Sequence, residues 1–101
     1  MSEHPKRSTT VVISNPQGLH MRPAYLFAET ASKFDSRIEV VKDDMRIDGK
    51  SVLSILTLGA AQGVEVIVEA EGPDADAAVQ TLGDLLNSGF PTNASGTDAV
   101  G

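Results

Sequence analysis

Val64-Glu65-Val66-Ile67-Val68-Glu69-Ala70-Glu71-Gly72-Pro73-Asp74-Ala75 contains a strand, a turn and the start of a helix, and the rest of the chain is read around it. Val64, Val66, Val68 and Ala70 alternate with Glu65, Ile67, Glu69 and Glu71. That is the period-two pattern of a strand with one buried face and one mostly polar face. Gly72-Pro73 turns the chain. Asp74 is a candidate N-cap for a helix whose apolar stripe is Ala75, Ala78, Val79, Leu82, Leu85 and Leu86. Asp76 in its first turn suits the positive end of the helix dipole.

Toward the N-terminus, Ile38 to Lys42 and Met45 to Ile47 read as two strands joined by a turn at Asp43-Asp44. Asp48-Gly49-Lys50 breaks the run. Ser51, a preferred N-cap type, then precedes Val52, Leu53, Ile55, Leu56 and Leu58. Gly59 and Gly63 bracket the loop that leaves this short helix. Farther out, Thr9 to Ser14 is a β-branched strand, and Asn15-Pro16-Gln17-Gly18 is loop chemistry. Ala24, Phe27, Ala28, Ala31 and Phe34 follow at helical spacing. Pro23 is tolerated only in the first turn of that helix, so the helix begins close to His20–Arg22.

The expected order is β-α-β-β-α-β-α. This is an α+β fold, with three helices on one face of a four-stranded antiparallel sheet. Residues 1–7 read as a polar tail and 8–88 as one domain. Residues 89–101, rich in Gly, Pro, Ser, Thr and Asn, read as a disordered tail.

Composition narrows the function. The 101 residues carry 14 Asp and Glu against 8 Lys and Arg, a net charge of −6. That balance argues against nucleic acid and against an anionic membrane surface, both of which call for a basic face. There is no cysteine, so disulfides and thiolate metal sites are excluded. Aromatics make up 4% and Trp is absent, which leaves no stacking platform for bases or sugars. No apolar run is long enough for a membrane span or a signal peptide, and a cytoplasmic location is expected. No cofactor and no metal are expected, and the chain is expected to act as a monomer.

Chemistry concentrates at Gly18-Leu19-His20-Met21-Arg22-Pro23, where a histidine opens a helix with an arginine two residues on. An imidazole can be a nucleophile, the first-turn amides of a helix favour an anion, and an arginine adds charge-assisted hydrogen bonds to phosphate. A histidine at a helix start also serves simply as a turn residue, and the residues alone leave both readings open.

Ser51 is the second candidate, with helix capping as its ordinary role. Asp48-Gly49-Lys50-Ser51 resembles the end of a P-loop, but that motif needs glycine at position 44 and finds Asp44. The short helix at Val52–Leu58 is too apolar to bury every side. Ile55 and Leu58 are expected in the core, while Val52, Leu53 and Leu56 supply an exposed docking patch. His4 in the polar tail and the Asn93-Ala94-Ser95 sequon carry no expected role.

Taken together, Gly18-Leu19-His20-x-Arg22-Pro23-Ala24, Lys50-Ser51 before an apolar helix, Thr57-Leu58-Gly59 and Ala70-Glu71-Gly72 keep the order and separation of a known family. From about Thr9 to Leu86 the chain resembles HPr, the histidine-containing phosphocarrier of the bacterial phosphoenolpyruvate-dependent phosphotransferase system. The resemblance implies the family's open-faced β-sandwich. It implies that His20 is phosphorylated at Nδ1 by phospho-Enzyme I and passes the phosphoryl group to EIIA-type domains, with Arg22 binding the phosphate. It implies that Ser51 is the serine modified by an ATP-dependent HPr kinase/phosphorylase in many members. Val52, Leu53 and Leu56 would help to dock Enzyme I and EIIA. Met21 stands where the family commonly has a small residue or Thr.

Such a carrier takes part in a relay without turnover of its own. The alternative is an HPr-like regulatory protein whose phosphorylation state is read by a kinase, transcription factor or metabolic enzyme. A stand-alone enzyme is poorly supported, because no acid–base pair and no room for a substrate pocket are evident.

Overall fold

The computed structural model describes residues 4–90. Its elements run β1 (Lys6–Val12), α1 (Met21–Ala31), β2 (Arg37–Lys42), β3 (Met45–Asp48), α2 (Val52–Leu58), β4 (Glu65–Glu71) and α3 (Ala75–Asn87). The four strands form one sheet in the order β1-β4-β2-β3, and every neighbouring pair is antiparallel. The expected α+β fold, an open-faced β-sandwich in the order β-α-β-β-α-β-α, is the one observed.

β4 is interior to the sheet. Val68 pairs with Thr9 on one side and Val40 on the other, and Ala70 pairs with Arg7 and Ile38. Its alternation therefore decides which face is buried. Val66, Val68 and Ala70 join Val11, Ile38 and Val40 in a core roofed by the helices. α1 contributes Ala24, Phe27, Ala28 and Ala31, α2 contributes Ile55 and Leu58, and α3 contributes Ala75, Ala78, Leu82 and Leu86. On the open face Glu39 and Glu69 lie directly opposite each other, a repulsive pairing. Arg46 of β3 offsets it by donating to both carboxylates, Glu39 at 2.9 Å. Glu69 first and then Glu39 raise the guanidinium pKa above its already high usual value.

Several boundaries differ from the sequence reading. β1 starts at Lys6 rather than Thr9, because β4 offers a pairing partner at every position from Val12 back to Lys6. Lys6 and Arg7 thus belong to the sheet, not to a tail, and Arg7 reaches Asp76 of α3 at 2.7 Å. α1 ends at Ala31, so Phe34 lies beyond it and packs half-buried against the core from the following loop.

Asp74 occupies the N-cap position of α3, but its side chain makes no capping bond. It accepts instead from the Ser36 hydroxyl and from the amides of Asp35 and Ser36, both at 2.9 Å, and so ties α3 to the loop before β2. Those donors, the Ser36 hydroxyl foremost, hold its carboxyl below the usual carboxylate range.

Two residues assigned to the expected disordered tail, at 89 and 90, fall among the described residues. Gly89 and Phe90 are ordered, and Phe90 is 4% exposed in the core. The rest of that tail, with Asn93-Ala94-Ser95, lies outside the described residues.

Candidate functional site

The loop that presents His20 is built residue by residue. Asn15, 8% exposed, donates from Nδ2 to the carbonyl of Gly18, while the Gly18 amide returns a bond to the Asn15 carbonyl at 3.0 Å. Gly18 has φ +68°, and a Cβ there would stand 2.5 Å from the Ala60 carbonyl oxygen, so only glycine fits. Leu19 is buried, and its amide donates to that same Ala60 carbonyl at 2.9 Å. With Leu19 anchored inward, the next residue faces outward.

His20 is exposed at the N-cap of α1, with φ −85° and ψ −165° and no side-chain capping bond. Its carbonyl accepts the Ala24 amide at 2.9 Å, the first hydrogen bond of the helix. Pro23 is the third helical residue, where its missing N–H removes nothing the helix needs. Met21 and Arg22 therefore carry the amides of the opening turn, at the positive end of the helix dipole.

Arg22 is exposed on the same turn, and its Nη1 donates to the Phe90 carbonyl at 3.2 Å. His20, Arg22, Asn15, Pro16, Gln17, Pro23, Gly89 and Phe90 line one shallow depression of about 270 Å³. A depression of this size and polarity can seat a small anion between an imidazole and a guanidinium while leaving it open to solvent.

Ser51 lies at the other end of this region. It is the N-cap of α2, half-buried, and its Oγ accepts from the Ser54 amide at 3.2 Å. The His20 loop abuts Ala60, beyond the C-terminus of α2, whereas Lys50 beside Ser51 donates to the Phe34 carbonyl past the end of α1. α1 and α2 therefore run in opposite senses, and α2 alone rises about 10 Å between the two sites. The structure does not bring Ser51 to His20.

Between them lies the apolar surface. Leu53 is 75% exposed, while Val52 and Leu56 are half-buried against the core. Ile55 and Leu58 are buried, as expected. Met21 and Tyr25, one helical turn apart on α1, are 61% and 53% exposed and extend the patch toward His20.

Sequence reasoning passed over Asn15, Tyr25 and Phe90. For Phe90 a signal existed, since it is a lone aromatic just after Gly89 at the end of an amphipathic helix. Nothing in the pattern pointed to the bond between Asn15 and Gly18. Among the described residues no helix is long and apolar enough to cross a membrane.

Fold and site together define a small α+β protein that displays a histidine and an arginine at one helix N-terminus. The family model "PTS HPr component phosphorylation site" matches residues 7–88, and the chain belongs to the HPr phosphocarrier family of the phosphotransferase system. It is 40% identical over 81 residues to the phosphocarrier protein HPr of Neisseria meningitidis, covering 80% of this chain and 91% of that one. The structure of HPr-C-His from Thermoanaerobacter tengcongensis superposes with a TM-score of 0.80 at 46% identity, over 83% of this chain and 94% of that one. A structure of an HPr dimer from the same organism matches at TM-score 0.69 and 45% identity, over 90% and 99%.

Proposed function

We propose that His20 accepts a phosphoryl group from phosphorylated Enzyme I and hands it to an EIIA-type domain. The observation that carries this reading is the depression shared by His20 and Arg22 at the start of α1. In the forward step the Nδ1 lone pair forms the N–P bond as the donor's bond to phosphorus breaks. Arg22 and the opening amides of α1 compensate the charge on the phosphoryl oxygens. The exposed seat suits a carrier, because each partner must reach the phosphorus in line from solvent.

Leu53, with Val52 and Leu56 beside it, and the adjoining Met21 and Tyr25 form the face on which both partners dock. Ser51 is the site for a dedicated HPr kinase/phosphorylase. A phosphate there adds about −2 charge at the edge of the docking face and acts on partner binding rather than on His20 itself. Working with such partners, the protein acts in the cytoplasm.

Incubation with phosphoenolpyruvate and the cognate Enzyme I, followed by mass spectrometry, tests the reading. One acid-labile, base-stable phosphate that is absent from His20→Ala is the expected result. An unmodified protein beside self-phosphorylated Enzyme I would overturn it.

A further inference from the structure

Asn15 uses only half of its side-chain amide. Its Nδ2 donates to the Gly18 carbonyl, but its Oδ1 is buried and accepts no hydrogen bond. The residue as a whole is 8% exposed, so solvent does not satisfy that oxygen. A buried acceptor in this state is unfavourable and calls for a donor from the side chains around it. Asn15 lines the depression that His20 shares with Arg22. Of the other described residues that line it, only Gln17, His20 and Arg22 carry side-chain donors. The Arg22 guanidinium is directed to the Phe90 carbonyl. Gln17 is exposed within the turn that Asn15 and Gly18 close. His20 follows directly on the Gly18–Leu19 peptide that Asn15 holds, and its exposed ring makes no capping bond.

We infer that Asn15 is a positioning residue for the phosphoryl transfer proposed above, its Oδ1 accepting the Nε2–H of His20; the inference rests on that reading of His20. Nδ1 attacks phosphorus only while its lone pair is free, which places the ring proton on Nε2. An acceptor on the Nε2 side favours that tautomer and leaves Nδ1 for the opening amides of α1. When the N–P bond forms and the donor's bond to phosphorus breaks, the proton stays on Nε2. The ring then gains positive character, and its bond to Oδ1 becomes charge-assisted. The contact belongs to the reacting and phosphorylated states, because in the free protein the ring is exposed and Oδ1 has no partner. The same oxygen repels a phosphoryl oxygen and so disfavours phosphate on Nε2.

The test follows the His20 ring by NMR in protein carrying isotope-labelled histidine, phosphorylated from phosphoenolpyruvate through Enzyme I. In the phosphorylated wild type the Nε2–H proton is expected to exchange with water at least about tenfold more slowly than in Asn15→Ala, the scale of one charge-assisted hydrogen bond. Gln17→Ala should match the wild type. Asn15→Asp keeps an acceptor oxygen but gives up the bond to Gly18, so slow exchange should persist there. In the transfer assay Asn15→Ala should lower kcat by about tenfold and leave KM within about twofold. A loop that had merely lost its shape would instead disturb docking and raise KM.

Equal exchange in wild type and Asn15→Ala, or a loss of protection in Gln17→Ala, overturns the inference. Fast exchange in both Asn15→Asp and Asn15→Ala also overturns it, since the effect then belongs to the bond with Gly18. Should Asn15→Ala fail to fold, the wild type decides, and a fast-exchanging Nε2–H in the phosphorylated protein rules the contact out. Failure of the carrier reading looks different, because the wild type itself then takes no label and both readings fall together.

Discussion

His20 owes its position to Leu19. A buried leucine pinned to Ala60 forces the next side chain outward, and the helix that starts there leaves the imidazole with no capping bond. Replacing it should therefore spare the fold. His20→Ala is expected to shift stability by about 0.5 kcal/mol or less, read by thermal melting, while abolishing phosphoryl acceptance.

Ser51 is the opposite case, since its Oγ already has a structural task as the acceptor for Ser54. Ser51→Ala should lose about 1 kcal/mol of stability with little change in transfer from Enzyme I. Ser51→Asp retains a capping oxygen and adds charge. It should leave the melt near wild type and slow the transfer. An equal rate for Asp and Ala at this position would remove the electrostatic argument for regulation.

At the scale of elements, the joints between helices and strands are made by a few polar side chains. Lys42 at the end of β2 donates to the Leu58 carbonyl at 3.1 Å, placing a cation at the C-terminus of α2. Asp74 holds the loop between α1 and β2 against the start of α3. Because its folded-state pKa lies below the unfolded value, the ionised carboxylate stabilises the fold fully above the ordinary carboxylate pKa. That contribution is lost as pH falls through the folded value. Asp74→Asn should therefore be less stable than wild type at neutral pH. The gap should hold down to roughly pH 5 and close at more acidic pH, as followed by denaturant melts. A gap that is independent of pH would mean that shape rather than charge makes the joint.

For the whole molecule, a single layer of side chains between one sheet and three helices carries the stability. Phe27, 1% exposed, is the largest of those that are fully buried. Phe27→Ala should remove about 3–5 kcal/mol, a large fraction of the total for a domain of this size, with a denaturant midpoint far below that of wild type. Because the site is attached to this core through Leu19 and Phe90, the same variant should also lower phosphoryl acceptance at temperatures where it is still folded. Lys6, Arg7 and Phe90 all belong to the folded body, which is wider than the composition suggested. The strand partner for Lys6 and Arg7 and the core seat for Phe90 come from other parts of the chain.

The sequence alone determined what local periodicity and residue chemistry can specify. The alternation in β4, the apolar stripes of α1 and α3, the excess of apolar residues in α2 and the placement of His20 by Pro23 all depend on neighbours within one or two turns of chain. So the order of elements, the buried face of the sheet and the two candidate residues at the start of α1 were legible there. Only the tertiary structure decided the rest. That Arg22 bonds to Phe90, that Asp74 serves a distant loop instead of capping its own helix, that Ser51 lies at the far end of α2 from the His20 loop, and that Lys6 belongs to a strand are relations between segments far apart in the chain. No repeat or spacing records such relations, because they arise when burial of the core brings those segments together.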